Sequence, residues 1–148
     1  MRRILITSLF VITTIMAFPM YSYAEIIEKL PQKDSTTLQY QDILMLFLLP
    51  HIDEEVEEYY SRLLTDNPTV YPYQIEVVKV ERVNGFRGFH FKMILEVTPV
   101  VGPHIPVGKD RFIFEVAPTI HSTVKLVRFE HLKTYELPPN WSHIIRKS

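Results

Sequence analysis

The chain has 148 residues, 47% of them hydrophobic and 22% charged, with no cysteine and a formal net charge of -1. That is one domain's worth of chain with an ordinary apolar fraction, which excludes a largely disordered or collagenous protein. The missing cysteine excludes disulfide frameworks, thiolate zinc sites, cysteine nucleophiles and lipid attachment to cysteine, and the near-neutral charge excludes the field that non-specific nucleic-acid binding needs.

Met1-Arg2-Arg3 is a short basic start, and the apolar run Ile4 to Phe18 follows it. Ser22-Tyr23-Ala24 then puts small residues at the −3 and −1 positions of a cleavage site, the order of a secretory signal. The run is shorter than the ~20 apolar residues a spanning helix needs, and Ile43 to Leu49, the next apolar stretch, is shorter still. The expectation is a secreted or extracytoplasmic protein, cleaved between Ala24 and Glu25, with no retained transmembrane segment. Losing Arg2 and Arg3 takes the basic residues from 16 to 14 against 17 acidic ones, so the mature chain carries -3. The expected layout is a signal peptide at 1–24, a flexible leader at 25–36 and a single domain at 37–148.

Thr36 and Gln39 fit the N-cap and N3 positions of a capping box. Leu44, Leu48, Ile52, Val56, Tyr59 and Leu63 then recur every three or four residues, widened by Tyr40, Ile43 and Phe47, which predicts a helix over about 37–64. Pro50 interrupts it, but acids follow directly, as at a helix start. The reading is one kinked helix or two short abutting ones. Five carboxylates between Asp53 and Glu58 give that helix an acidic, solvated face, relieved by Glu58 with Arg62 at i,i+4.

Beyond Pro68 the period changes to two. Tyr73, Ile75 and Val77 alternate, then Val78 and Val80 on the other phase, predicting a β-bulge near Val77-Val78. Asn84-Gly85 predicts a tight hairpin. Phe89, Phe91, Met93, Leu95 and Val97 mark one face of the next strand. Thr98 to Asp110, with three prolines, reads as a long stiff loop. Phe112, Phe114 and Val116 give a third strand, Thr123 to Leu132 a fourth, and Trp141 to Ile145 a last turn. The fold class expected is α+β: the helix packed on a curved antiparallel sheet of about four strands, cystatin-like or NTF2-like in architecture.

Several segments in combination also resemble one family: Tyr40-Gln41-Asp42-Ile43, Leu48-Leu49-Pro50-His51-Ile52, Tyr59-Tyr60, Leu95-Glu96-Val97-Thr98-Pro99, Val101-Gly102-Pro103-His104, Phe129-Glu130-His131 and Tyr135-Glu136-Leu137-Pro138-Pro139. That family consists of short exported proteins of unknown function from spore-forming Gram-positive bacteria. The resemblance covers about Tyr40 to Ile145 and implies a single domain behind a signal peptide. It transfers no activity.

Candidate chemistry is sparse. The six histidines show none of the i,i+2 or i,i+4 pairs that metal sites favour, so no metal and no cofactor is expected. No Gly-x-Ser-x-Gly turn or glycine-rich phosphate loop is present. Glu96, Glu115 and Glu130 fall on the sheet, where a polar solvated face accounts for them. The Pro-rich loop carries Val100, Val101 and Ile105, apolar groups that must either fold back or meet a partner. With His104, Asp110 and the aromatic residues Tyr71, Tyr73, Phe86 and Phe89 they make the candidate binding surface. Two functions follow: a non-catalytic interaction module for a cell-envelope or protein partner, or a small secreted hydrolase using His104, Asp110 and His131.

Overall fold

The structure, a computed structural model, describes residues 34–147, so the predicted signal peptide and most of the leader lie outside the described residues. Helix α1 spans Thr36–Tyr60 without interruption, with Pro50 inside it. Its N-cap is Ser35, whose hydroxyl accepts from the Leu38 N–H at 3.2 Å; Thr36, expected at that position, is already helical. The buried positions are Met45, Leu48, Ile52, Val56 and Tyr60. The predicted stripe holds in the middle and shifts by one residue at each end. At the C-terminal end the contact runs along an i+4 row, Leu48, Ile52, Val56 and Tyr60, inclined to the helix axis, so Tyr60 and, just past the helix, Leu64 are buried in place of Tyr59 and Leu63. Tyr40, Ile43 and Phe47, expected to widen the stripe, are exposed instead.

Four strands form one antiparallel sheet in the order β1-β2-β5-β6: β1 Ile75–Arg82, β2 Phe91–Val97, β5 Gly108–Val116 and β6 Val124–Thr134. The architecture is therefore α+β, one main helix on an antiparallel sheet. The bulge in β1 lies where the alternation changes phase, between Val77 and Lys79. Met93, Leu95, Val97, Phe112 and Phe114 line the sheet face beneath the helix, and Leu95, Phe112 and Phe114 are fully buried.

Two connections differ from expectation. Asn84-Gly85 does not make a two-residue hairpin; residues 83–90 form a longer loop, closed by the Val83 N–H donating to the His90 carbonyl at 2.9 Å. A tight turn there would slide β2 by four residues, setting Leu95 and Val97 opposite Tyr73 and Tyr71 instead of Val77 and Ile75. Core pairing outweighs the local turn preference, and Phe89 is left exposed.

Thr98–Asp110 is likewise not an irregular excursion. It contains a small hairpin, β3 Val100–Val101 against β4 Ile105–Pro106, and its last residues already belong to β5. Val100, Val101 and Val107 are buried. At the hairpin tip Gly102 has φ +48, and a Cβ there would stand 2.2 Å from the Trp141 ring, so only glycine lets Trp141 close over the turn.

Trp141 belongs to a 3-10 turn, Pro139–Ile144, which buries Ile144. Backbone bonds from Thr65 N to Ile144 O and from Arg146 N to Leu63 O, both 2.8 Å, fasten this C-terminal stretch to the chain just after α1. No helix among the described residues is long and apolar enough to cross a membrane.

Candidate functional site

Asp110 is the one charged side chain among the described residues that is buried, at 0% exposure. A buried carboxylate is tolerated only if its oxygens are satisfied, and both are. Tyr60 Oη donates to Oδ2 at 3.0 Å, and His131 Nδ1 lies 2.6 Å from Oδ1. An ionised carboxylate only accepts, so Nδ1 carries the imidazole proton there. In the neutral ring Nε2 is then an acceptor, and it lies 2.8 Å from the Thr134 hydroxyl. Tyr60, Asp110, His131 and Thr134 form one hydrogen-bonded chain from the core to the surface.

Local backbone features assemble it. His131 and Thr134 are three residues apart on β6, and in a regular strand they would point to opposite faces. The register shifts between Lys109 and Asp110, which pair with Lys133 and His131, so Leu132 is an extra residue in β6. That bulge turns Thr134 to the side of His131. Gly108 supplies the room: a Cβ there would lie 2.3 Å from Tyr60 Oη, 2.7 Å from the Lys133 carbonyl oxygen and 3.1 Å from His131 Cε1. Tyr59 stacks on the imidazole with ring centres 4.9 Å apart. Burial pushes the Asp110 carboxyl up from its ordinary value, while the His131 and Tyr60 bonds pull it down. Burial also pushes the Tyr60 hydroxyl up, with the Asp110 charge beside it acting in the same direction, so Tyr60 keeps its proton and remains a donor.

Tyr60 and Thr134 also line a cleft of about 460 Å³ between the end of α1, the end of β6 and the C-terminal stretch. Leu63, Leu64, Val107, Leu137 and Ile145 make its walls apolar, while Arg62, Arg146 and Lys147 bring cationic groups to it. Arg146 is fixed by its Nε donating to the Leu64 carbonyl at 2.8 Å, and Arg62 by Glu58 at 2.7 Å.

Of the residues singled out in the sequence, the structure joins Asp110 with His131 but places His104 elsewhere. His104 sits at the β3–β4 turn with φ +63, its ring 4.9 Å from that of Tyr71 and its Nδ1 3.0 Å from Tyr73 Oη. Tyr71 and Tyr73 stack nearly parallel at 5.5 Å. Phe86 is 95% exposed in the loop beyond the far end of β1, so the eight residues of that strand separate it from the tyrosines, about 25 Å at ~3.3 Å per residue. The proposed cluster of four aromatic side chains therefore does not assemble. Val100 and Val101 face the core, and Ile105 is half-buried against it.

Glu96 is held by Lys109 at 2.5 Å and Arg111 at 2.6 Å, and those bonds draw its carboxyl below the usual range, unlike a proton-donating acid. Among the described residues no three His, Asp or Glu side chains converge as a metal site would require. Sequence reading missed Tyr60, Thr134 and the cleft; none carries a local motif, because a bulge and a chain terminus bring them together.

Comparison with curated proteins and with solved structures finds no match. A family model described as "Protein of unknown function (DUF3888)" matches residues 40–133, a stretch that includes Tyr60, Asp110 and His131. That match takes in most of α1 and nearly all of the sheet, and the chain belongs to this family of uncharacterised domains.

Proposed function

We propose that this protein is an exported binding domain acting at the surface of a Gram-positive cell, and that its ligand is a single-chain amphiphile with an anionic carboxylate or phosphate head. The observation that carries the reading is the cleft itself: about 460 Å³, apolar on its walls and bordered by Arg62, Arg146 and Lys147. Small-molecule sites are typically concave, mostly apolar and about 300–1,000 Å³, with a few placed polar groups. An acyl chain against Leu63, Leu137 and Ile145 removes apolar surface from water, and an anionic head beside Arg146 and Lys147 keeps its charge compensated. Export rests on the basic start, apolar run and Ser22-Tyr23-Ala24 of the sequence.

Calorimetric titration with dodecanoate and with dodecyl phosphate tests the site. Saturable binding is expected, weakened at least 10-fold by Leu63→Glu, which puts a like charge on an exposed wall residue. Absence of binding, or an affinity untouched by Leu63→Glu, refutes the assignment. Export is tested separately by the mass of the protein recovered outside the cell, which should begin at Glu25.

A further inference from the structure

The wall of the cleft carries a second feature that binding alone does not use. Thr134 Oγ1, His131 Nε2, His131 Nδ1 and Asp110 Oδ1 stand in sequence at 2.8 Å and 2.6 Å, a hydroxyl, a base and a buried carboxylate in hydrogen-bond contact. That is the arrangement by which a hydroxyl is activated for acyl transfer, and it is recognised by geometry and roles, whatever the order in the chain. The chain is built for it in three ways: the bulge at Leu132, the bare Cα of Gly108 and the second donor Tyr60 on Asp110. Thr134 is exposed and lines the cleft, so its hydroxyl is reachable from the space where an acyl group would lie.

We propose that Thr134, His131 and Asp110 form an acyl-transfer site that cleaves carboxylic esters of amphipathic acids, an inference that rests on the cleft being the ligand site. Thr134 Oγ1 forms a bond to the ester carbonyl carbon as its proton passes to His131 Nε2, and the carbonyl electron pair moves onto oxygen. When that pair returns, the bond from carbon to the alkoxy oxygen breaks, and the departing alcohol takes the proton from His131. Water then attacks the acyl-threonine, giving its proton to His131. The acyl carbon–Oγ1 bond breaks, Thr134 regains its proton, and the carboxylic acid leaves. No oxidant, metal or co-substrate besides water is required. Asp110 is a positioning residue: it fixes the tautomer and orientation of the imidazole and stabilises the imidazolium. The cations beside the cleft favour the anionic product, the same chemistry as the proposed ligand.

The probe is p-nitrophenyl octanoate with the purified full chain, read by nitrophenolate release and by peptide mass spectrometry for an octanoyl group. Hydrolysis and an adduct on Thr134 are expected. Thr134→Ala and His131→Gln should each lower the rate by about 10²–10⁴-fold, the range of a positioned base, while Thr134→Ser retains it. Asp110→Asn should lower kcat by about 10⁴-fold with KM little changed, because an amide at that position favours the wrong imidazole tautomer; a purely structural carboxylate would leave kcat in place. If the wild type binds octanoate but Thr134→Ala hydrolyses the ester as fast, or the adduct forms on another residue, the acyl-transfer inference is overturned and the cleft assignment stands. If the wild type binds no octanoate, the cleft assignment fails, and this inference fails with it.

Discussion

Gly108→Ala is the sharpest single perturbation of the site. The added Cβ would lie 2.3 Å from Tyr60 Oη and 2.7 Å from the Lys133 carbonyl oxygen, where ordinary contact begins at 3.4 Å. The Lys133 carbonyl is backbone of β6, beside the strand pairing of Lys109 with Lys133, and cannot retreat without disturbing the sheet. Tyr60 can move only by giving up its bond to Asp110. Overpacking of this kind costs about 1–3 kcal/mol. A buried carboxylate oxygen left short of a donor costs about 1–3 kcal/mol more. The lower entropy of an unfolded chain carrying alanine returns about 0.4–1 kcal/mol, so the net loss is about 1–6 kcal/mol.

Urea denaturation followed by far-UV circular dichroism and by fluorescence of the lone tryptophan, Trp141, reads this loss directly. Gly88→Ala is the control, since the Cβ there meets its nearest neighbours at 3.2 Å in an exposed loop. It should cost less than about 1 kcal/mol, within the ordinary range of surface substitutions. A Gly108→Ala protein within ~0.5 kcal/mol of wild type, with an unchanged denaturant slope, would refute the close packing of Tyr60, Asp110 and His131 around Gly108.

Pro50 withholds one hydrogen bond inside α1, so Pro50→Ala should stabilise the protein by about 1–2 kcal/mol after the entropy of the unfolded chain is allowed for, seen as a higher midpoint in thermal or urea unfolding. Burial raises the Asp110 carboxyl above its ordinary 3.8, so the folded protein holds that proton more tightly than the unfolded chain does. The stability this contributes is fully present below the unfolded value and is lost as pH rises through the folded one. The stability difference between wild type and Asp110→Asn should therefore fall from about pH 4 upward in urea titrations; a difference that grows with pH contradicts the assignment.

Periodicity in the sequence determined the element order, the α+β class and most of the core. Leu48, Ile52 and Val56 at helical spacing, and Met93, Leu95, Val97, Phe112 and Phe114 at strand spacing, are buried where alternation put them. The bulge at Val77-Val78 was also legible, because a slip in phase is written in the residues themselves. Local signals failed where distant pairing overruled them. Asn84-Gly85 yielded to the register of Leu95 and Val97, and the valines of the Pro-rich segment folded inward because a small hairpin satisfied their backbone.

The candidate site belongs to tertiary structure alone. Asp110 and His131 were visible as residue types, but Tyr60 lies fifty positions from Asp110, and Thr134 reaches His131 only through one extra residue in β6. Sequence spacing records which face of an element a side chain takes. It does not record which elements meet, where a strand bulges against its partner, or how a terminus folds back to enclose a cleft, since those depend on contacts between parts of the chain remote in sequence.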